Sequence, residues 1–267
     1  MNPIVLGPGD LAIASSLIVL EAGFSFALGL GIHRQLLVAT SRMIVQLLLV
    51  GYALRVIFAL GSPWLTLGAV VLMALVAARE VAARPRARLR RYGNQSLGAI
   101  TVLSVTALTA VLALTTAIRP DPWWTPQYAI PLVGIVLGSI LNSGSLALDH
   151  VLEAAGQQRV AIEAQLALGR SFAQATRALL KEAIRRGTLP IVNQMSAAGL
   201  ITLPGIMTGQ ILAGMDPVSA VKYQILLMFL LAGSSLLAAV AIAALALRRL
   251  TDGRDRLRLD WLSSGRA

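Results

Sequence analysis

Seven long apolar stretches dominate this chain of 267 residues. A helix needs about 20 mostly apolar residues to cross the hydrocarbon core of a bilayer. The stretches that reach or approach this length are about 11–32, 36–60, 64–82, 97–118, 128–148, 189–213 and 219–247. Only 13% of the residues are charged, whereas a soluble domain carries about 25%. We therefore predict an all-α polytopic membrane protein with about seven transmembrane helices.

The charges between these stretches predict an orientation, because positively charged loops stay on the cytoplasmic side of a membrane. The basic segments are 84–95 with five arginines, 149–188 with six basic and four acidic residues, and 248–267 with six arginines and three aspartates. Seven spans place all three on one side, which predicts the N-terminus out and the C-terminus in. Cytoplasmic loops thus explain the net charge of +11, and we expect no nucleic-acid partner.

The same pattern divides the chain. We predict a transmembrane domain over 1–248 and a basic cytoplasmic tail over 249–267. A cytoplasmic region, 149–188, is inserted between the fifth and sixth spans. The chain is therefore expected to be a multi-pass protein of the plasma (inner) membrane, in contact with lipid.

Helix signals make the inserted region more than a plain loop. We expect the fifth span to continue as a helix into the cytoplasm and to stop near Gly169. Ser171 and Gln174 then have the spacing of a capping box for a second, short helix. The sequence therefore predicts a helical elbow over 163–175.

The short helix is expected to end before Gly187, with Thr188 capping the sixth span and Pro190 in its first turn. One face of this short helix is basic and another is apolar. The basic residues, one turn apart, are Arg177, Lys181 and Arg185. This face can rest on anionic lipid or dock a protein partner, and the sequence leaves both open.

Catalytic motifs are missing from the sequence. It has no cysteine and only two histidines, which leaves nucleophilic and metal chemistry poorly supplied. A phosphate-binding loop needs Lys followed by Ser or Thr, but Lys181 precedes Glu and Lys222 precedes Tyr. We therefore predict a non-catalytic chain that carries no cofactor of its own.

The stretch EAQLALG, Glu163–Gly169, resembles the EAA motif of ABC-transporter permeases, which docks on the ATPase subunit. Three stretches in this order, SRMIVQLLLVGYALRVIF at 41–58, the elbow, and GLITLPGIMTGQILAGMDPVSAVKYQI at 199–225, resemble the FetB-type permease family. That family comprises membrane subunits of an ABC transporter assigned to iron export, and its plant relatives are tied to aluminium tolerance. One departure is Lys181, which stands where importers often have proline.

This resemblance implies a permease homodimer that moves a metal ion, with iron export as the expected activity. A separate soluble ATPase subunit would bind ATP and Mg²⁺ and dock on the elbow. The residues implied to couple the two subunits are Glu163, Ala164, Leu168, Gly169, Arg170, Ser171 and Gln174. Two other functions remain open from the residues alone: a self-sufficient channel or secondary transporter, and a membrane scaffold.

Polar residues inside the spans are candidates for a transport pathway, because they are costly in lipid. They are Glu21, Gln46, Asn142, Ser143, Asn193 and Gln194, and Met195 beside them adds a soft thioether sulfur to the pathway candidates. Glu21 can face a cavity or pair with Arg55, and the amide and hydroxyl groups can equally form interhelical hydrogen bonds. The sequence does not identify the ligands of a metal ion.

Glycine and proline mark expected packing and hinge points. Gly134 with Gly138, and Gly205 with Gly209, have the G-x-x-x-G spacing that lets helices approach closely in lipid. We expect these pairs to form a contact between spans five and six or between two copies. Pro204 next to Gly205 predicts a kink of the sixth span beside the pathway, since irregular backbone in a bilayer must face protein or water.

Overall fold

Helices account for most of the described chain. The computed structural model describes residues 7–89 and 93–264, so Arg90 and Arg91 of the basic segment 84–95 lie outside the described residues. The elements in chain order are α1 (Pro8–Ala27), α2 (His33–Leu60), α3 (Pro63–Ala83), β1 (Ala87–Leu89), α4 (Gly93–Leu112, continued by a π-helical segment Ala113–Ile118), α5 (Pro126–Gln157), α6 (Arg159–Ala167), α7 (Phe172–Ala175), α8 (Arg177–Ala197), α9 (Gly205–Leu212), α10 (Pro217–Arg249) and β2 (Leu262–Ser264).

Six helices in the described part of the chain are long and apolar enough to cross a membrane. They are α1, α2, α3, α4 with its π-helical continuation, α5 and α10. Each corresponds to one of the seven apolar stretches found in the sequence. The prediction of an all-α polytopic membrane protein is therefore confirmed, with two short strands added.

The remaining stretch, 189–213, is not one helix. α8 ends at Ala197, the backbone of residues 198–204 is not helical, and α9 begins at Gly205. The expected kink at Pro204 is therefore wrong in form, because the chain breaks over seven residues. Gly199 has a φ of +86°, which is easily reached by glycine alone and turns the chain out of the helix.

α8 also differs from the prediction at its other end. The helix does not stop before Gly187, and it continues through Thr188 with Pro190 in its interior. The Thr188 hydroxyl donates to the carbonyl of Ile184 at 2.9 Å and so does not cap a new helix. Tertiary packing overrides the low helix propensity of Gly and Pro here, because Gly187 is buried against two other helices.

The structure separates into two compact units. The first contains the described residues up to Ser62 together with Leu212–Gly214. Its α1 and α2 form a hairpin whose turn contains Gly29 at φ +65° and Gly31 at φ +71°. α2 has no buried residue among those described. This unit therefore presents apolar side chains on nearly all of its surface, as suits a membrane-embedded hairpin.

The second unit comprises residues 63–211 and 215–264 of the described chain. Its core lies between α3, α4, α5, α8 and α10. Small side chains let these helices approach closely. A Cβ atom on Gly187 of α8 would lie 2.8 Å from the Ser143 carbonyl oxygen of α5 and 2.9 Å from the Ala239 Cβ of α10. Only glycine fits at this triple contact.

α5 and α10 run in the same direction, while α8 runs against them. Ser139 of α5 meets Ser235 of α10, and further along, a Cβ on Gly144 would lie 3.8 Å from Ile242. The carboxyl ends of α5 and α10 therefore lie at the same end of the bundle. Between these two helices, α8, the break and α9 carry the chain back towards the other end.

The described parts of the arginine-rich segments that the sequence placed on one side of the membrane lie at one end of this bundle. β1, just after α3, pairs antiparallel with β2 beyond α10. The backbone N–H of Arg86 donates to the Asp149 carboxylate of α5 at 2.9 Å. Asn94 is buried and joins the turn, accepting from the Leu89 N–H at 3.1 Å and donating to the Ala82 carbonyl at 3.3 Å.

The described part of the predicted basic tail, residues 249–264, is folded. Asp252 accepts hydrogen bonds from the N–H groups of Arg254 and Arg256 at 3.0 and 3.1 Å, and its carboxylate lies 3.5 Å from the Arg258 guanidinium. The backbone N–H of Arg256 is the main cause that lowers the pKa of Asp252 to about 2. The tail leucines pack against the core of the second unit, namely Leu257, Leu259 and Leu262.

Replacing Gly187 by Val should destabilise the second unit. The added side chain would collide with a backbone oxygen and a Cβ that cannot move independently, and such overpacking costs about 1–3 kcal/mol. Thermal unfolding of the purified protein in detergent measures the effect. Gly233→Ala is the control, because a Cβ there meets nothing within 4 Å. Equal melting temperatures for the two variants would contradict the close helix contact.

Asp252→Asn should release the tail. The lowered pKa means that the carboxylate stabilises the tail fully above the ordinary value of 3.8 and that this contribution is lost as the pH falls towards about 2. At neutral pH the variant should therefore be cut by trypsin at the tail arginines several-fold faster. Asp255→Asn is the control, because Asp255 is exposed and its left-handed φ of 55° suits asparagine.

Candidate functional site

A helical elbow connects α5 to α8. α6 begins after Gln158 and ends at Ala167. Gly169 follows with a φ of +83°, and its N–H donates to the Leu166 carbonyl at 3.0 Å. This left-handed glycine ends the helix as the sequence predicted. The fifth span does continue towards Gly169, but with a change of direction at Gln158.

The turn into α8 is fixed by the capping box that the sequence predicted. The Gln174 N–H donates to the Ser171 hydroxyl at 3.3 Å, and the Ser171 N–H donates to the Gln174 side-chain oxygen at 3.0 Å. Phe172 and Ala175 of this short helix are buried in the core, as is Ile162 of α6. The elbow is therefore anchored from within by apolar side chains and closed by a reciprocal pair of hydrogen bonds.

The outer surface of the elbow is available for contact. All residues that the resemblance assigned to coupling are exposed, namely Glu163, Ala164, Leu168, Gly169, Arg170, Ser171 and Gln174. Leu168 is 82% exposed, which is unusual for an apolar side chain at a helix end. Glu163 accepts a hydrogen bond from Arg159 of its own helix at 2.8 Å. The elbow thus presents a mixed apolar and charged face on a fixed backbone.

The basic face of α8 is present beside the elbow. Arg177, Lys181 and Arg185 are exposed, while Leu179 and Ala183 on the apolar face are buried. Glu182 lies 3.8 Å from Arg185 and accepts a hydrogen bond from Arg186 at 3.1 Å, which lowers the pKa of its carboxyl group. Glu182 is therefore ionised at neutral pH and offsets part of the positive charge.

A polar recess of about 170 Å³ opens between α5, α8 and α10. Its polar lining is Ser139, Asn142 and Ser143 of α5, Gln194 of α8 and Ser235 of α10. Four apolar residues complete the wall, namely Ile135, Pro190, Ile191 and Leu231. Ser139, Asn142 and Ser143 share one face of α5 because they are three and four residues apart. The recess lies near the middle of both long helices.

Hydrogen bonds order part of this lining. The hydroxyl groups of Ser139 and Ser235 bond to each other across the two helices. Arg84, just after α3, donates to the Asn142 side-chain oxygen at 3.1 Å. Ser143 is only 2% exposed, and its hydroxyl makes no hydrogen bond to another residue of the described ranges. The Ser143 hydroxyl is therefore available to a molecule in the recess.

The structure brings together only some of the pathway candidates. Asn142, Ser143 and Gln194 meet in the recess, whereas Asn193 and Met195 do not line it. Glu21 and Gln46 lie exposed on α1 and α2 in the other unit, and no ion pair joins Glu21 to Arg55 among the described residues.

The glycine and proline candidates lie in two places, on α5 (Gly134 and Gly138) and at the start of α9 (Pro204, Gly205 and Gly209). Pro204 precedes α9, and Gly205 is its first residue. Among the described residues, nothing lies within 4 Å of a Cβ built at Gly138, Gly205 or Gly209, while one at Gly134 would lie 3.1 Å from Met73 of α3. Within one copy, the two G-x-x-x-G pairs therefore make no close contact with each other. A contact between copies stays a prediction.

The sequence did not predict three residues at the recess, namely Ser139 and Ser235 in its lining and Arg84 beside it. Ser139 has the helical spacing to Asn142 that would have placed it on the same face, but serines were not counted as pathway candidates outside the polar pairs. Arg84 was counted only as a loop charge. Ser235 belongs to a span that runs parallel to α5, and no local pattern pairs distant helices.

Metal-binding chemistry is sparse in the described ranges. No group of three or more His, Asp or Glu residues within 7–89 and 93–264 is arranged to hold a metal ion. The polar groups of the recess are hydroxyls and amides. These groups donate and accept hydrogen bonds but carry no charge.

These features define a multi-pass membrane protein with a polar recess between its helices and an anchored elbow at one end. The model of a family described as "Uncharacterised protein family (UPF0014)" matches residues 8–251. The chain belongs to this family. No solved structure matches it.

Curated relatives cover nearly the whole chain. A UPF0014 membrane protein of Synechocystis is 42% identical over 86% of this chain and 88% of its own length. The "Probable iron export permease protein FetB" of Escherichia coli is 31% identical over 93% of both chains. The protein "ALUMINUM SENSITIVE 3" of Arabidopsis thaliana is 28% identical over 86% of this chain and 82% of its own. The predicted resemblance to the FetB-type permeases is confirmed.

Proposed function

We propose that this chain is the non-catalytic permease subunit of an ABC transporter that exports a metal ion, iron in the first instance, across the plasma membrane. A separate ATPase subunit, carrying ATP and Mg²⁺, docks on the elbow and drives transport. Two copies of the permease form the membrane part. The elbow carries this proposal, because a buried anchor and a capping box hold an exposed, partly apolar face on a rigid backbone.

α8 supplies the mechanical link. It begins next to the elbow and runs without interruption to Ala197, past Gln194 in the wall of the recess. A displacement of the elbow by the ATPase is therefore transmitted to one side of the recess by a single helix. Gly187 holds this helix against α5 and α10 between the elbow and the recess, and the helix can pivot about this contact.

Iron as the substrate is supported only by the name of a relative. The Escherichia coli relative is named a probable iron export permease, and we extend iron and the direction of transport to this chain on that similarity. A self-sufficient channel or secondary transporter is the alternative. It would move its substrate along an ion gradient without an added ATPase.

The proposed topology has seven crossings, with the N-terminus out and the C-terminus in. Six crossings are single helices, and the other is made by α8, the break and α9. The elbow, the α3–α4 turn and the tail then all face the cytoplasm, which agrees with the positive-inside rule and with their position at one end of the bundle.

Reversing the charge of Glu163 should weaken coupling to the ATPase. Glu163→Arg removes an exposed ion pair, and because such pairs contribute about 0–1 kcal/mol, the fold should persist. Co-purification with a candidate ABC ATPase subunit, and the ATPase activity of the reconstituted complex, should both fall about tenfold, equal to about 1.4 kcal/mol.

Glu153→Arg is the matched control for this variant. Glu153 is also exposed and also accepts a hydrogen bond within its own helix, from Gln157 at 3.2 Å, but it lies before the elbow. It should leave ATPase binding unchanged. Equal effects of the two reversals would remove the elbow from the docking surface. Substrate flux by the permease alone would favour the channel or secondary transporter.

Cysteine labelling tests the crossing made by α8 and α9. The chain has no cysteine, so single variants give no background. Val160→Cys at the elbow and Arg254→Cys in the tail should react with an impermeant maleimide only in inverted vesicles, and Gln127→Cys at the start of α5 only in intact cells. Labelling of Val160→Cys and Arg254→Cys from opposite faces would show that α8 and α9 do not cross.

A further inference from the structure

The recess between α5, α8 and α10 has an unusual set of polar groups for a metal-ion pathway. Its lining offers hydroxyls from Ser139, Ser143 and Ser235 and amides from Asn142 and Gln194. None of the nine lining residues is Asp, Glu or His. Hard metal cations prefer carboxylate oxygens, and iron also uses imidazole. The lining therefore gives a bare cation no charged ligand.

A positively charged side chain contacts the lining. The Arg84 guanidinium donates to the Asn142 side-chain oxygen at 3.1 Å. This hydrogen bond uses the amide oxygen and leaves the amide hydrogens of Asn142 as its free polar groups. A positive charge next to donors favours an anion and opposes a cation, because the opposite charge is stabilised at short range.

Ser143 provides an independent sign of a ligand. Its side chain is almost fully buried at 2% exposure, and its hydroxyl has no partner in the described part of the chain although it faces the recess. Buried polar groups nearly always have a hydrogen-bond partner. Because Ser143 lines the recess and its hydroxyl is not sealed from it, a solute or water in the recess can supply this partner.

The size of the recess favours a solute larger than a single ion. About 10–15 Å³ of such volume holds one water molecule, and the recess has about 170 Å³. Apolar side chains of Ile135, Ile191 and Leu231 form the rest of its wall. A small organic molecule with several oxygen atoms matches this mixture of donors and apolar surface better than a dehydrated ion.

We propose that the recess formed by Ser139, Asn142, Ser143, Gln194 and Ser235, next to Arg84, binds a small oxygen-rich organic anion of the polycarboxylate class. This inference rests on the proposed transport function in one respect: a metal ion then passes as the anion's chelate and is coordinated by the anion, with the protein binding the outer oxygens. Ser143 and the amide groups of Asn142 and Gln194 donate to those oxygens, and Arg84 orients Asn142.

Binding to the purified full-length chain in detergent tests the proposal without any ATPase. The probes are citrate, iron(III) citrate, and iron(II) kept reduced without a chelator. We expect saturable binding of iron(III) citrate, measured with radioactive iron and displaced by the metal-free anion if the anion alone is recognised. Binding of the chelate without displacement by citrate would assign the site to the complete chelate. Saturable binding of free iron(II), unaffected by citrate, would overturn the proposal, as would the absence of binding by all three probes.

Two variants connect the binding to the recess. Ser143→Ala should lower the affinity for iron(III) citrate about tenfold, since it removes a hydrogen bond to a charged ligand. Ser145→Ala is its control, because the Ser145 hydroxyl donates to the Leu141 carbonyl of its own helix at 2.6 Å and does not line the recess. Equal affinities of these two variants would place the anion elsewhere.

Arg84→Gln should also lower the affinity about tenfold, by loss of the positive charge beside the donors. Arg79→Gln is its control, because Arg79 is exposed on α3 and makes no contact with the lining within the described ranges. Tighter binding of iron(II) by Arg84→Gln, with citrate unaffected, would contradict an anion site. Failure of the ATPase to associate with the elbow would refute the proposed function and leave these binding results standing.

Discussion

The close approach of three helices at Gly187 is the contact on which the second unit depends. With 2.8 Å between a Cβ on Gly187 and the Ser143 carbonyl oxygen, α8 lies almost backbone to backbone against α5, and Ala239 of α10 closes the other side. In lipid there is little hydrophobic drive between helices, so packing of small residues provides the stability. The same contact sets the height at which the recess opens, because Asn142 and Ser143 lie one turn away from Ala147, the other α5 residue that Gly187 touches.

This contact also explains why α8 stays a single helix from the elbow to the recess. Gly187 and Pro190 both disfavour a helix interior, yet the packing of Leu179, Ala183 and Ile191 on the same face keeps the segment helical. A flexible joint at Gly187 would have separated the elbow from the recess. The continuous helix instead joins the exposed elbow to the polar recess, and this connection is the structural basis for the proposed transport.

Local signals predicted local structure well. The helix stop at Gly169 and the capping box of Ser171 with Gln174 both follow from residues within one turn. The predictions failed where distant helices decide the outcome. Gly187 is a packing residue because α5 and α10 lie against it, and the recess combines Ser143 with Gln194 and Ser235 from three helices. Asn193 and Gln194 are adjacent in the sequence, but only Gln194 lines the recess, and a pathway role for Asn193 stays a prediction.

The break after α8 separates this helix from α9. Irregular backbone at membrane depth must satisfy its own polar groups or face protein or water, and four N–H groups of residues 198–204 have backbone partners. The Ile201 and Thr202 N–H groups donate to the Ala197 carbonyl at 3.0 and 3.1 Å, and the Gly199 N–H donates to the Thr202 carbonyl at 2.9 Å. The helix end is thus closed by a compact turn in place of a kink at Pro204. Among the described residues, no helical hydrogen bonds continue across this turn into α9, so α8 and α9 are two separate helices.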